Sequence, residues 1–264
     1  MQRFSVAGPV GTITGVRLVR DGAAAPVVFV HHINGAAEQW TPVMERIAGR
    51  TSVAVDLRGH GDSQPGGCYG AADYAADVTA AMNELGIARA HLVGASFGAG
   101  VCVTLAAESP QRVASIVAIG GALSAGDTVD VDAVVADLHR RGPAAFFEQM
   151  ATASFAAGAD ERLLRDAVRL AVGKDPGTTE LILRAAFSAN VAEAAAQVDA
   201  TALVLTGEHD HTCPPALGVA LAESLGTRCR VLPGRGHLLH LEDPALVADL
   251  IGEQLCRTDP VRTG

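Results

Sequence analysis

A serine between two glycines, followed far downstream by an acid and then a histidine, gives this chain the residue types for nucleophilic attack on a carbonyl. The segment Gly94-Ala95-Ser96-Phe97-Gly98 follows the apolar run His91-Leu92-Val93 and precedes a stretch rich in Ala99, Gly100, Ala106 and Ala107. A G-x-S-x-G segment between a strand and a helix forms a nucleophile elbow, whose turn strains the serine and whose glycines keep neighbouring side chains clear of it. The Ser96 Oγ would then project beyond the carboxyl end of the sheet. The first N–H groups of the following helix, at its positive dipole end, favour an oxyanion at the same spot. The five residues alone also fit a plain turn; the strand before and the helix after distinguish the two.

A serine is a weak nucleophile near neutral pH and needs a base held in place by a third group. His237, in Gly234-Arg235-Gly236-His237, is the expected base, and Asp210, in Gly207-Glu208-His209-Asp210, is the expected acid. His209, His211 and His240 are alternative bases. Glu208 is an alternative acid, as are Asp127, Asp130 and Asp132 further upstream. Each of the three expected residues follows an apolar run, and open α/β sheets bind ligands beyond the carboxyl ends of their strands.

The elements that must position these groups are legible in the hydropathy pattern. Val- and Ile-rich runs predict strands at Val27–Val30, Ser52–Asp56, His91–Gly94, Ser115–Ile119, Ala202–Thr206 and Cys229–Leu232. Thr12–Val19 alternates and predicts an antiparallel edge hairpin with the segment near Phe4. Between the runs, Trp40, Val43, Met44 and Ile47 recur at helical spacing, as do Tyr74, Val78, Met82 and Leu85. This alternation of strands and helices predicts a mainly parallel sheet. From Gly126 to Val191 the strand rhythm stops. Four helical patterns replace it, at Val131–Arg141, Ala144–Phe155, Glu161–Val172 and Thr178–Asn190. An inserted helical cap over residues 126–191 is expected, with 1–125 and 192–264 as the core.

Composition narrows the function classes. The 264 residues carry a formal net charge of −9 and are 49% apolar, enough for a large buried sheet and without a basic stripe for nucleic acid. No apolar run reaches the roughly 18 residues of a membrane span, and the first residues lack the apolar stretch of a secretory signal. Five scattered cysteines, Cys68, Cys102, Cys213, Cys229 and Cys256, without a C-x-x-C pair, read as reduced thiols in a cytoplasmic protein. No metal or cofactor is expected, and a homodimer is the assembly allowed for.

Asp56-Leu57-Arg58-Gly59-His60-Gly61-Asp62-Ser63 and Gly236-His237-Leu238-Leu239-His240-Leu241-Glu242-Asp243-Pro244, with the elbow, resemble the α/β-hydrolase superfamily over nearly the whole chain. The resemblance implies an eight-stranded, mostly parallel sheet flanked by helices, with its second strand antiparallel and the cap after the sixth. It favours Asp210 over Glu208 and implies an oxyanion hole from the backbone N–H groups of Phe97 and Ile33. His32 stands where the family commonly has glycine, so His32 or Asn34 is an alternative donor. Asp56 and Arg58 are expected to satisfy backbone groups and one another, and His60 to brace its loop.

The sequence is similar to small carboxylesterases and enol-lactonases, implying cleavage of a small ester or lactone through an acyl-enzyme on Ser96. Relatives that open epoxides or displace halide carry a carboxylate at the elbow, which Ser96 is not. Carbon–carbon hydrolysis, perhydrolysis or a lyase reaction with the same triad is the alternative, and a ligand-binding receptor with slow turnover a further one. His32, Asn34, Trp40, Phe146, Phe147, Met150 and Phe187 are the expected pocket residues, with Phe155 beside them. Arg140, Arg141 and Arg184 are candidates for a substrate carboxylate.

Overall fold

The computed structural model describes residues 1–22, 24–125 and 129–259. The expected start of the cap at Gly126 and the alternative acid Asp127 lie outside the described residues. Eight strands form one sheet: β1 (Gln2–Ala7), β2 (Thr12–Leu18), β3 (Val27–Val30), β4 (Ser52–Val55), β5 (Ala90–Ala95), β6 (Val113–Ile119), β7 (Thr201–Gly207) and β8 (Cys229–Leu232). Their spatial order is β1-β2-β4-β3-β5-β6-β7-β8. β2 runs antiparallel to both β1 and β4, and every pairing from β4 to β8 is parallel.

The central strands are buried on both faces, so period-two alternation divides their side chains between two helical layers rather than between core and water. Val28, Val30, Val53, Val55 and Leu92 face one core. Val27, Phe29, Ala54, Val93 and Val117 face the other. Short helical turns at Ala37–Trp40 and α1 (Thr41–Met44), with α11 (Pro244–Thr258), cover the second face. The first is covered by α2 (Ala71–Glu84) and α3 (Phe97–Glu108), with Tyr74, Val78 and Met82 from α2 and Val101 and Leu105 from α3 fully buried.

After β6, residues 131–187 form four helices: α4 (Val131–Arg141), α5 (Pro143–Ser154), α6 (Glu161–Val172) and α7 (Pro176–Phe187). Asp130, Asp160 and Asp175 cap α4, α6 and α7 by accepting first-turn N–H groups. Leu138, Phe146, Phe147, Ala171 and Leu183 give these helices a small core of their own, with Ile33, Met150 and Phe187 packed against it. The chain continues through α8 (Ala192–Ala195), α9 (Pro215–Ser224) and α10 (Leu239–Glu242). From β3 the chain moves to β4 on one side and returns to β5 on the other. The loops after β3 and β5 therefore diverge, leaving a crevice at that switch point.

Asp56 and Arg58 do not satisfy one another. Asp56 accepts the Ala37 N–H at 2.7 Å and the Thr14 hydroxyl at 2.9 Å. Arg58 forks onto Asp77 of α2, with both contacts at 2.7 Å and both side chains almost wholly buried. Losing one partner of such a pair typically costs about 3–5 kcal/mol. Asp77 therefore fixes α2 against the loop that follows β4.

Candidate active site

Ser96 sits on the bend between β5 and α3 at φ +53 and ψ −122, one of two non-glycine residues at positive φ among those described. Such a conformation costs about 1–3 kcal/mol and persists where its surroundings over-determine it. The Ser96 N–H is held by the Ile119 carbonyl of β6 at 2.7 Å. The flanking glycines are required by close approach. A Cβ on Gly94 would lie 2.3 Å from the Gly98 carbonyl oxygen, and one on Gly98 would lie 2.5 Å from the carbonyl oxygens of Val30 and His31. The start of α3 is thereby seated against the end of β3. The Phe97 N–H opens α3, among the amides that lack an acceptor within the helix.

His237 and Asp210 meet below the same crevice. The His237 Nδ1 lies 2.8 Å from Asp210 Oδ2, and the two residues are 3% and 2% exposed. The other carboxylate oxygen of Asp210 accepts the N–H groups of Thr212 at 3.0 Å and Cys213 at 2.6 Å. A carboxylate that accepts three hydrogen bonds has one orientation, and it presents an acceptor to His237. Nδ1 therefore carries the proton and Nε2 is left as the basic nitrogen.

Glu208 is placed elsewhere: its side chain is half-exposed and accepts the Gly234 N–H at 2.9 Å. Asp130 caps α4 and Asp132 pairs with Arg184 at 2.7 Å, so neither reaches His237. Of the alternative bases, His209 is exposed beside Glu208 and His240 is buried against Trp40. His211 lies on the cavity wall.

The histidine loop is tied to α5. The Ser154 carbonyl accepts the N–H groups of His237 at 2.9 Å and Leu238 at 3.2 Å. Glu242 accepts N–H groups from Ala156 at 2.8 Å and Gly236 at 3.0 Å.

A cavity of about 540 Å³ is lined by Ser96, Phe97 and His237 together with the β3 loop and the helices α5, α6 and α7. Of the expected pocket residues, His32, Asn34, Phe147, Met150 and Phe187 line it, as does the expected oxyanion donor Ile33. Trp40, Phe146 and Phe155 do not. Trp40 is fully buried in the core, stacked on His240 with ring centroids 4.2 Å apart. Phe146 turns inward, edge-on to Phe147, among the helices. None of Arg140, Arg141 and Arg184 lines the cavity. Arg140 and Arg141 pair with Asp137, and Arg184 with Asp132 and Glu180.

The loop after β3 is braced by neutral imidazoles. His31 Nε2 accepts the Leu57 N–H at 3.0 Å, and His60 Nε2 accepts the Asn34 N–H at 3.0 Å. The Asn34 amide is thus committed to His60, which removes it as an oxyanion donor. Burial lowers the pKa of His31 to about 4 and that of His240 to about 3, and pushes His32 and His60 well below the ordinary 6.5. These rings stay neutral when folded and take up protons more readily when unfolded. The stability they permit is present above pH 6.5 and is lost as pH falls through about 4. Urea denaturation from about pH 7 to about pH 4 should show a falling midpoint, on the order of 1 kcal/mol per pH unit for each ring. His240→Phe should reduce that slope; a midpoint independent of pH would contradict the assignment.

One neighbour of the site carries no signal of the kinds read above. Lys174, just beyond α6, reaches Asn34 Oδ1 at 3.3 Å and the Leu170 carbonyl at 3.2 Å. Its sequence setting, Gly173-Lys174-Asp175-Pro176, resembles any surface linker.

The reversed second strand, the parallel remainder and the sharp strand-to-helix turn at Ser96 define the class of protein as an α/β hydrolase. Residues 25–244 match the model of the alpha/beta hydrolase fold family, and the chain belongs to that family. It is 36% identical over 155 residues to a 2-(acetamidomethylene)succinate hydrolase of Mesorhizobium japonicum, across 58% of this chain and 55% of that protein. It is 27% identical to a 2-succinyl-6-hydroxy-2,4-cyclohexadiene-1-carboxylate synthase of Serratia proteamaculans, across 85% of this chain and 91% of the relative. The matches span 32% and 55% of the length of the first two curated relatives. The enol-lactonase of Burkholderia xenovorans LB400 shares the fold, with a TM-score of 0.88, 24% identity and coverage of 96% of this chain and 99% of that one. Among the described residues, no helix is long and apolar enough to cross a membrane.

Proposed function

We propose that this chain is a serine hydrolase that cleaves a small ester or lactone through an acyl-enzyme on Ser96. The observation that carries the reading is the buried 2.8 Å contact between His237 and Asp210, beneath a cavity that Ser96 also lines. Ser96 Oγ attacks the carbonyl carbon while His237 Nε2 takes its proton, and Asp210 stabilises the imidazolium. The negative oxygen is held by the N–H groups of Phe97 and Ile33. His237 then protonates the leaving oxygen, which departs as an alcohol or stays tethered as the opened arm of a lactone. Water, deprotonated by His237, attacks the acyl group and returns Ser96 to its starting form.

Residues 126–191 serve as the cap that selects the acyl and alcohol groups. Phe147, Met150 and Phe187 supply apolar walls, and His32 and Asn34 polar ones. A volume of about 540 Å³ suits a compact substrate. The Serratia relative is named a synthase, so the same three residues are also candidates for chemistry other than ester hydrolysis. Product analysis separates the two readings. Given aryl esters, small lactones and a 1,3-diketone, the enzyme is expected to release an acid and an alcohol, or a hydroxy acid. Cleavage of the diketone alone would overturn the ester reading.

A further inference from the structure

α6 gives Ala167 and Ala171 to the cavity wall, whereas Lys174, two residues past its end, does not line the cavity and reaches it through Asn34, which does. The Lys174 ammonium is part-buried, and its partners are two neutral oxygens, Asn34 Oδ1 and the Leu170 carbonyl. Among the described residues no carboxylate pairs with it. Asp175, next in the chain, turns its carboxylate to the Thr178 N–H at 2.8 Å and the Thr178 hydroxyl at 3.1 Å. The nearby ionisable groups are the imidazoles of His31, His32 and His60, all held neutral by burial. A desolvated cation without a counter-charge is unfavourable until an anion reaches it.

The cavity is built to admit one. Its described lining contains no aspartate or glutamate that would repel a negative group. Asn34 belongs to the cavity wall, and with Oδ1 turned to Lys174 its Nδ2 remains a donor. We propose that the Asn34 side-chain amide at the cavity wall, with the Lys174 ammonium held behind it, forms a carboxylate-recognition point, so that the preferred substrate is an acidic ester or lactone. This inference rests on the serine-hydrolase reading and names its substrate class.

Two pairs of esters test it. Para-nitrophenyl hemiglutarate against para-nitrophenyl pentanoate places the charge on the acyl side; para-carboxyphenyl acetate against phenyl acetate places it on the leaving group. The wild-type enzyme is expected to favour the charged member of one pair by about 10- to 100-fold in kcat/KM, the range of a charge-assisted hydrogen bond. Lys174→Met should reduce that ratio about tenfold or more, mainly through KM, while Lys174→Arg retains part of it. Burial lowers the Lys174 pKa to about 8, so the wild-type preference should decline as pH rises through that value. This pH readout decides the matter if Lys174→Met fails to fold. A ratio at or below one in both pairs would overturn the proposal, as would equal losses on charged and neutral esters. If neither ester is turned over, calorimetric titration with glutarate decides instead. Binding to wild type that Lys174→Met abolishes supports the site, and absent or unchanged binding overturns it. Failure of the Ser96 reading is seen separately, as the absence of a fluorophosphonate adduct.

Discussion

Replacing Ser96 with alanine is expected to lower ester or lactone turnover by at least about 10⁴-fold while leaving KM close to its original value. The size of the effect follows from the lack of a substitute nucleophile. Cys213 lines the cavity, but burial pushes its thiol up to about 12, so it holds no useful thiolate near neutral pH. Thr212 and Ser154 also line the cavity, but the Thr212 N–H belongs to the Asp210 anchor and the Ser154 hydroxyl donates to the Met150 carbonyl at 2.8 Å. Alanine at position 96 would keep the oxyanion donors and the apolar walls, so the variant should still bind substrate. It should also be no less stable than the parent, because the removed hydroxyl faces the cavity and not the core. Steady-state kinetics with an aryl ester, at matched thermal stability, give the comparison. A loss smaller than about tenfold would move the nucleophile to another side chain.

The second large effect is at Asp210. Asparagine there can still accept the Thr212 and Cys213 N–H groups through its carbonyl oxygen, which turns its NH₂ toward His237 Nδ1. Nδ1 must then accept, and the ring proton moves to Nε2, where it blocks transfer from Ser96. Turnover is expected to fall by about 10⁴-fold with the fold intact, read as an unchanged circular dichroism spectrum and a similar Tm. Near-wild-type activity would transfer the orienting role to another acid. Glu208 is poorly placed for it, being held outward by the Gly234 N–H.

The parallel strands were legible because each is a short Val- and Ile-rich run bounded by breakers, and Val27–Val30 and Cys229–Leu232 match the observed limits. The helices of residues 131–187 were equally plain from their periodicity and breakers. The four-residue α1 falls within the Trp40 to Ile47 stripe, but helices as short as α8 and α10 span barely one turn and show no repeating stripe. Side-chain partners were the weakest part of the reading. Arg58 finds its acid on α2 and not two residues away, because spacing along the chain does not encode which helix packs over a loop. Trp40 and Phe146 have the same apolar character as true wall residues, and only the third dimension separates a core ring from a lining one. Lys174 was silent for the converse reason: a lysine after a helix is ordinary until its ammonium is found beside Asn34.

The most direct measurement is reaction with a fluorophosphonate, followed by intact-mass and peptide mapping, since the reagent requires an activated serine rather than a particular substrate. One adduct per chain is expected, on the peptide that contains Ser96, absent from Ser96→Ala and slowed strongly by loss of His237. An adduct on a different residue, or equal modification of Ser96→Ala, would contradict the central claim.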